Sequence, residues 1–330
     1  MFLIYTTNAK DVTSEGWKLS EKSESKTVRF LVWVKALRAP FFTAVLIPVF
    51  LGTTVAWFSF GAFNPTYFVL SLIGAVCVNA GTNLANDYFD YKSGCDLVDT
   101  DFSSPFSGGS GLLPRGVLSP RKVYIASLIS FVFAGLIGVF LALTRGWVIV
   151  VLGLIGVFSG YFYTTQIAPL GIGELIVGLN CGPLVVIGSY YVQTQTIALE
   201  PIVASIPVGI LILEVLWINE IPDYYADAKA GKKTLVTRIG TKRAADVYGV
   251  LMFSTYAAIL LGVSLSLMPV LTLLSFLTAP LAIRAVYVAR RNYGDPRKLI
   301  PANAGTVLVH LFTGLLLCIA YVISGYMTGL

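Results

Sequence analysis

Long apolar stretches separated by short polar segments make up most of this chain. Six stretches contain no Lys, Arg, Asp or Glu: residues 39–86, 123–144, 146–173, 175–199, 247–283 and 299–330. Several are far longer than the roughly 20 residues that cross a hydrocarbon core once, so they must contain pairs of helices. Divided at their Gly, Pro and Asn turn signals, they predict nine transmembrane helices, near residues 40–62, 66–90, 120–144, 147–164, 173–193, 201–222, 244–267, 269–289 and 302–328.

The composition supports this prediction. Of the 330 residues, 56% are hydrophobic and only 12% are charged, about half the charged share of an ordinary soluble domain. Such an apolar excess has to face lipid, which excludes a soluble domain and leaves an all-α integral membrane protein. The four cysteines are far apart in sequence, so neither a disulfide framework nor a zinc motif is indicated.

The basic residues predict how the protein is oriented in the membrane. With nine spans, successive loops alternate sides, and 22 of the 23 Lys and Arg residues then fall on one side, leaving only Arg145 on the other. By the positive-inside rule the N-terminus is cytoplasmic. Residues 1–38 are predicted to be a cytoplasmic segment, ending in an interfacial lead-in at residues 28–38 (VRFLVWVKALR), and residues 39–330 a single transmembrane domain.

Acidic residues gather at the predicted cytoplasmic end of the second span, where the sequence reads NLANDYFDYKSGCD over residues 83–96. Asn86 and Asp90 are four residues apart and share one helix face. Asp96 is six residues further on, and Gly94 can end the helix and let the chain turn back. The three oxygen-bearing side chains are therefore expected to converge.

A second acidic cluster lies at the cytoplasmic end of the sixth span. Asn219, Asp223 and Asp227 follow one another at intervals of four and form one stripe, which a kink at Pro222 would alter without dispersing. The Asn-x3-Asp pattern thus occurs on the second span and again four helices later. This repetition predicts two pseudo-repeated four-helix units plus one helix, with motif loops at about residues 83–120 and 219–243.

Carboxylates at the edge of hydrocarbon are costly unless they are paired or coordinated. Carboxylate and amide oxygens, without His or Cys, suit Mg²⁺, which completes its shell with waters and substrate phosphates. Two facing clusters would hold two Mg²⁺ ions over one diphosphate. The alternative, that single acids only solvate the membrane interface, does not account for the repeated pattern. Five nearby bases could neutralise the remaining phosphate charge: Lys92, Arg115, Lys229, Lys232 and Lys233.

Three further titratable residues lie in apolar surroundings. Glu174 lies at the start of the fifth span, where its side chain could either cap the helix or take part in the site. Glu214 lies deeper in the sixth span than Asp223, so it is either a functional residue or a buried hydrogen-bonded one. The lone His310 has no companions and is interpreted as structural. Aromatic side chains near the motifs could stabilise a carbocation or form an interfacial belt; they are Tyr161, Phe162, Tyr163, Tyr224 and Tyr225.

Together these residues resemble the UbiA superfamily of intramembrane prenyltransferases. Residues 83–96 look like its first Asp-rich motif, and NEIPDYYADAKAGKKTLVTRIG (219–240) like its second. Residues 171–174 (GIGE) and 181–184 (CGPL) resemble two further stretches of the family, so the similarity extends from about Arg38 to Gly240. The six-residue step from Asp90 to Asp96 is similar to the branch that makes menaquinone, although residues 163–169 are shorter than the usual family segment.

The resemblance implies an Mg²⁺-dependent transfer of a polyprenyl group from an allylic diphosphate to an aromatic quinone precursor, in that branch 1,4-dihydroxy-2-naphthoate. Two Mg²⁺ ions and the diphosphate would be bound by Asn86, Asp90, Asp96, Asn219, Asp223 and Asp227. It further implies that Arg38 contacts the diphosphate and that Tyr163 joins the four aspartates in catalysis. The Gly- and Pro-rich loop at residues 103–120 is long enough to form a lid that excludes water from the site.

The expected partners are a polyprenyl diphosphate of geranylgeranyl length or longer, an aromatic acceptor and membrane lipid, with no nucleic acid. The expected location is the cell membrane, with the active site facing the cytoplasm. Within the class, 4-hydroxybenzoate, a tocopherol- or chlorophyll-type acceptor, or a glycerol phosphate lipid remains an alternative acceptor. A cation transporter is an alternative from another class, although its ion sites would be expected near mid-membrane with inverted repeats. A scaffold protein would leave the paired clusters unexplained.

Overall fold

The computed structural model describes residues 26–94, 109–229 and 231–329, and all its regular structure is helical. A short helix α1 (Lys26–Ala36) precedes α2 (Thr43–Phe60), α3 (Pro65–Ser93), α4 (Pro120–Arg145), α5 (Val148–Tyr161), α6 (Ala168–Leu170), α7 (Gly173–Leu179) and α8 (Val185–Thr194). The chain continues with α9 (Leu199–Lys229), α10 (Leu235–Ile239), α11 (Thr241–Ser264), α12 (Ala279–Asn292) and α13 (Pro296–Met327). The described part therefore has the predicted all-α class.

The helix ends follow local sequence signals. The side chain of Asn64 accepts a hydrogen bond from the Tyr67 backbone N–H at 3.2 Å and Pro65 follows it, which together start α3. Ser119 and Pro120 start α4 in the same way. Gly94 ends α3 at φ +83°, a left-handed conformation that favours glycine. The helix end predicted at Gly94 is thus confirmed, whereas the expected turn back toward Asp96 lies outside the described residues.

Two of the predicted spans are broken. The fourth consists of α5, a π-helical turn at Tyr163–Ile167 and α6, with a bend of 66° between the two parts. The fifth consists of α7, a second π-helical turn at Asn180–Leu184 that contains Pro183, and α8. Pro183 cannot donate a backbone hydrogen bond, which explains the irregular turn there.

Within the described residues, eight helical segments are long and apolar enough to cross a membrane, and the bent pair brings the number to nine. In the bent pair, α5 starts just after Arg145 at the end of α4, and Tyr161 at its other end hydrogen-bonds Tyr124, near the start of α4, at 2.9 Å. α5 therefore runs back beside α4, as a ninth span would.

Two apolar clusters hold the bundle together. One joins α9, α11, α12 and α13, and the other joins α2, α8, α9 and α13. α1 does more than lie along a surface, because its Ala36 is buried against Leu84 of α3 and against Leu112 and Leu113 of the following loop. α9 and α13 thus form a shared wall from which the remaining helices extend.

Candidate active site

A cavity of about 1800 Å³ lies between α2, α3, α4, α5, α8 and α9. At one end it is lined by the polar residues of the two motifs. At the other end it is lined by Leu70, Leu141, Ile149 and Val192. The twenty residues of α3 from Asp90 to Leu70 span about 30 Å. The cavity is therefore as long as a bilayer core is thick, with a polar mouth and an apolar depth.

The two acidic motifs meet at the mouth. The ammonium nitrogen of Lys232 lies 3.4 Å from Asp90 Oδ2, on α3, and 3.6 Å from Asp227 Oδ1, on α9. Asn86, Asn219 and Asp223 line the same cavity. The ends of α3 and α9 that carry the motifs therefore lie on one side of the bundle, as the repeated pattern predicts.

Asn86 links three elements at this mouth. Its Nδ2 donates to Asp90 Oδ2 at 3.0 Å and to Thr164 Oγ1 at 2.9 Å, in the π-helical turn after α5. Its Oδ1 accepts from Arg38 Nη2 at 3.2 Å. The stripe expected from the four-residue spacing is thus held in place by contacts from two distant segments.

Arg38 lines the cavity and also forms an ion pair with Asp87, at 2.7 Å. The Asp87 side chain is almost completely buried and its Oδ1 also accepts from the Ser110 backbone N–H, at 3.2 Å. Asp87 therefore ties α3 to the lead-in segment and to the loop before α4. Contact between Arg38 and a diphosphate stays a prediction.

The second motif is held from the opposite side by α13. The side chain of Asn303 donates to the Ile218 carbonyl at 3.0 Å and to Asn219 Oδ1 at 2.7 Å. α9 is helical through Pro222 as far as Lys229, so its four-residue stripe is continuous. The stripe therefore extends along the cavity wall from Asn219 to Asp227.

The segment after α9 is fixed by the fifth span. Glu174 is buried, and its Oε1 accepts from the Leu235 backbone N–H at 2.8 Å, at the start of α10. Arg238 donates to the carbonyls of Leu170, at 2.8 Å, and Lys233, at 3.1 Å. A Cβ on Gly171 would come within 2.5 Å of both Arg238 and the Lys233 carbonyl, so only glycine fits there. Glu174 thus acts as a cap for α10 and positions Lys232.

The predicted bases differ in their placement. Lys92, Arg115, Lys232 and Lys233 line the cavity, whereas Lys229 is exposed and is not among the lining residues. The structure does not bring Lys229 to the cavity because α9 continues through it, and its contact with a diphosphate stays a prediction. Two residues beyond Asp227 on a helix correspond to about 200° of rotation, which directs Lys229 away from the stripe.

Of the aromatic candidates, Tyr163 lines the cavity, together with Phe89, which the sequence pattern did not single out. A Cβ on Gly173 would lie 3.1 Å from the Tyr163 hydroxyl, so the phenol packs directly on the start of α7. Tyr161 instead belongs to a ring cluster with Phe89, Phe131 and Phe162. Tyr225 is 68% exposed and does not line the cavity, which favours the alternative of an interfacial aromatic residue over a role in the site.

Oxygen donors are the only metal-ligand type among the motif residues at the mouth, which fits Mg²⁺. Glu220 also lines the cavity, and its buried Oε2 has no hydrogen-bond partner among the described residues. Among those residues, no three His, Cys, Asp or Glu side chains are grouped closely enough to hold a metal by themselves. Asp96 and residues 103–108 of the predicted lid lie outside the described residues.

Glu214 is fully buried in α9, but it is not among the lining residues, and neither carboxyl oxygen has a hydrogen-bond partner among the described residues. The structure therefore does not bring Glu214 to the mouth. Asn303 and Asp87 are contacts that the sequence analysis missed. Asn303 carries no local signal, whereas Asp87 follows Asn86 directly and could have been recognised as a buried acid.

Comparisons with known proteins place this geometry in a family. The model of the UbiA prenyltransferase family matches residues 45–307. The chain is 31% identical over 286 residues to the 1,4-dihydroxy-2-naphthoate octaprenyltransferase of Bacillus subtilis, covering 86% of this chain and 89% of that protein. It is 29% identical over 295 residues to the 2-carboxy-1,4-naphthoquinone phytyltransferase of Synechocystis, covering 88% and 92%.

Solved structures share the fold. An apo UbiA homologue from Aeropyrum pernix superposes with a TM-score of 0.65 at 14% identity, covering 86% of this chain and 98% of that one. A UbiA homologue from Archaeoglobus fulgidus bound to GPP and Mg²⁺ superposes with a TM-score of 0.56 at 16% identity, covering 87% and 99%. With the family model matching most of its length, this multi-pass membrane protein belongs to the UbiA prenyltransferase family.

Proposed function

We propose that this protein transfers a polyprenyl group from an allylic diphosphate to 1,4-dihydroxy-2-naphthoate at the mouth of the cavity. The observation that carries the proposal is the position of Lys232 between Asp90 and Asp227. Two carboxylates from distant parts of the chain face one cation there, beside two more lining bases, Lys233 and Arg115. Such a mixture of charges suits a diphosphate that arrives with its metal ions.

The residues at the mouth divide into two groups by their charge. We propose that Asn86, Asp90, Asp96, Asn219, Asp223 and Asp227 hold two Mg²⁺ ions, and that Lys92, Arg115, Lys232 and Lys233 bind the diphosphate oxygens. Mg²⁺ bound there would neutralise the charge that develops on the leaving diphosphate. Arg38 and Thr164 hold Asn86 in place, which keeps the donor set oriented.

The depth of the cavity fits the prenyl tail. Its walls beyond the motifs are mostly apolar, over about 20 Å of α3 from Leu70 to Asn83. Burial of hydrocarbon there contributes about 0.8 kcal/mol for each CH₂ removed from water. The same dry walls keep water away from the allylic cation, and Tyr163 and Phe89 present aromatic faces near the mouth where that cation forms.

The acceptor follows from the relatives. The proteins from Bacillus subtilis and Synechocystis are both named for prenyl transfer to naphthalene rings, one with an octaprenyl and one with a phytyl group. We therefore propose a naphthoate acceptor with a polyprenyl donor. The C–O bond of the donor breaks and diphosphate leaves with the bonding electron pair. The electron-rich ring captures the allylic cation, and the alkylated ring carbon then loses its proton, or its carboxylate as CO₂, to restore aromaticity.

We also propose that the mouth faces the cytoplasm and that residues 39–330 form one transmembrane domain after a cytoplasmic N-terminal segment. This orientation places the motif loops, with nearly all the basic residues, on the side where soluble diphosphate and Mg²⁺ are found. A cysteine accessibility experiment with a membrane-impermeant thiol reagent on inside-out vesicles, using Ser119→Cys as the reporter, tests it. Labelling only in right-side-out vesicles would contradict it.

The activity is tested with purified protein in nanodiscs, labelled geranylgeranyl diphosphate, Mg²⁺ and a panel of acceptors. We expect prenylated naphthoate, loss of turnover in EDTA and recovery on addition of Mg²⁺. Asp90→Asn and Asp223→Asn should each lose more than about 100-fold in turnover, whereas the matched surface variant Asp246→Asn should not. Absence of diphosphate release with every acceptor would refute the proposed reaction.

A further inference from the structure

A histidine lies in the wall of the cavity, among mostly apolar side chains. His310, the only histidine of the chain, is 1% exposed and lines the cavity from α13. Its Nε2 is buried and has no hydrogen-bond partner among the described residues. An unpaired buried nitrogen is costly, so such a group in a native structure needs an explanation.

The two threonines that flank His310 on the same helix are bonded within the protein. The hydroxyl of Thr306, one turn earlier, is 2.7 Å from the hydroxyl of Tyr248, and the hydroxyl of Thr313 is 2.8 Å from that of Thr278. A purely structural histidine would be expected to have partners of this kind. His310 faces the cavity instead, which points to a partner that enters with a substrate.

The depth of His310 can be measured along α13. Asn303 bonds to Asn219 at the level of the second motif. His310 lies seven residues further along, two helical turns or about 10 Å deeper. The cavity wall beside it is formed by Ile212 and Val215 of α9 and by Val307 of α13. His310 therefore lies below the diphosphate site but not at the far end of the cavity.

The substrates differ in what they can offer at this depth. A prenyl chain has no hydrogen-bonding group, and the diphosphate is retained by the lysines at the mouth. A dihydroxynaphthoate carries one carboxylate and two neutral hydroxyls. Because a carboxylate is costly in an apolar wall, that end of the ring stays near the lysines. The 4-hydroxyl, which is meta to the carboxylate and therefore further from it than the 1-hydroxyl, then points inward.

We propose that His310 binds the inward-facing ring hydroxyl of the aromatic acceptor and thereby selects acceptors that carry this hydroxyl. The inference rests on the proposed function for the identity of the acceptor. An imidazole nitrogen can accept the hydroxyl proton or donate to its oxygen, so either tautomer serves. When an acceptor lacks this hydroxyl, the buried nitrogen stays unpaired. We therefore expect strong discrimination between acceptors that carry the hydroxyl and acceptors that lack it.

The test compares two ligands in the full-length protein in nanodiscs. 1,4-Dihydroxy-2-naphthoate is used as the acceptor, and 1-hydroxy-2-naphthoate, which lacks the 4-hydroxyl, as a competitive inhibitor. His310→Phe should raise the KM for the dihydroxy acceptor about 10- to 100-fold and leave the KM for the prenyl donor unchanged. The inhibition constant of the monohydroxy compound should be the same in both proteins.

Two further variants separate recognition from folding. His310→Asn keeps a hydrogen-bonding side chain and should recover part of the affinity for the acceptor. Thr306→Val removes a buried hydroxyl from the same helix without touching the cavity, and should leave the KM for the acceptor unchanged. If His310→Phe weakens the binding of both compounds equally, or of neither, then His310 does not recognise the 4-hydroxyl. Wild-type protein that prenylates another acceptor and no naphthoate would overturn both the acceptor assignment and this proposal.

Discussion

Glu174 holds the basic segment that carries Lys232, and its removal should free that segment. The bond from the Leu235 N–H to the Glu174 carboxylate is 2.8 Å long and buried. Hydrogen bonds to charged groups contribute about 1.5–3 kcal/mol, and each 1.4 kcal/mol is a factor of ten. Glu174→Leu should therefore raise the undocked population of residues 231–239 by roughly 10- to 100-fold.

Trypsin cleavage after Lys232 and Lys233 measures this population, since cleavage follows the open fraction when opening and closing are fast. We expect cleavage to accelerate by the same factor and the KM for the prenyl donor to rise with it. Glu174→Gln keeps an acceptor oxygen and should be intermediate. Glu200→Leu, in the first turn of α9, is the matched control. Unaltered cleavage in Glu174→Leu would refute the claim that this carboxylate holds the segment.

Three other predictions concern single charges. Lys232→Gln should raise the KM for the prenyl donor about tenfold, a modest effect because the side chain is one-third exposed. The same substitution should lower the Mg²⁺ concentration that gives half-maximal activity, because Asp90 and Asp227 lose the cation that competes with Mg²⁺. A lower KM for the donor together with a higher Mg²⁺ requirement would contradict this. Arg145→Leu removes bonds of 2.6 and 2.8 Å to backbone carbonyls at the end of α8, so the thermal midpoint should fall while the donor KM stays the same. Lys298 and nearby backbone N–H groups lower the pKa of Asp295 in the folded protein. The stability that the ionised carboxylate contributes is therefore present above the ordinary pKa of an aspartate and is lost as the pH falls through the lowered pKa. Asp295→Asn should remove that part of the acid dependence in pH-resolved thermal unfolding.

The features that depend on short-range pattern could be predicted from the sequence. The length of the apolar stretches determines the number of spans, and a spacing of four places Asn86 with Asp90 on one helix face. The turn at Gly94 is similarly local, because it needs only a residue that adopts a left-handed conformation. The convergence of the two motifs followed from their repetition and is realised at Lys232.

The features that the sequence did not indicate depend mostly on packing between distant segments. α9 continues through Pro222 to Lys229, which places that lysine on the opposite face from the stripe. Asn303 bonds across 84 residues to Asn219, a pairing that no local pattern encodes. His310 was interpreted as structural because it has no histidine or cysteine companion. What indicates otherwise is that His310 lines the cavity and that its buried Nε2 has no partner in the described part of the chain.

The GIGE stretch at residues 171–174 contributes to the site without lying at its mouth. Gly171 gives room for Arg238, Gly173 packs against Tyr163, and Glu174 caps α10. All three contacts act on groups that line the cavity or on the segment that follows the second motif. A substrate-binding role would require the Glu174 side chain to face the cavity, yet this side chain is buried and accepts a hydrogen bond from the Leu235 backbone N–H. The stretch therefore positions the lysines and the phenol, and substitutions there should change donor affinity through the placement of Lys232.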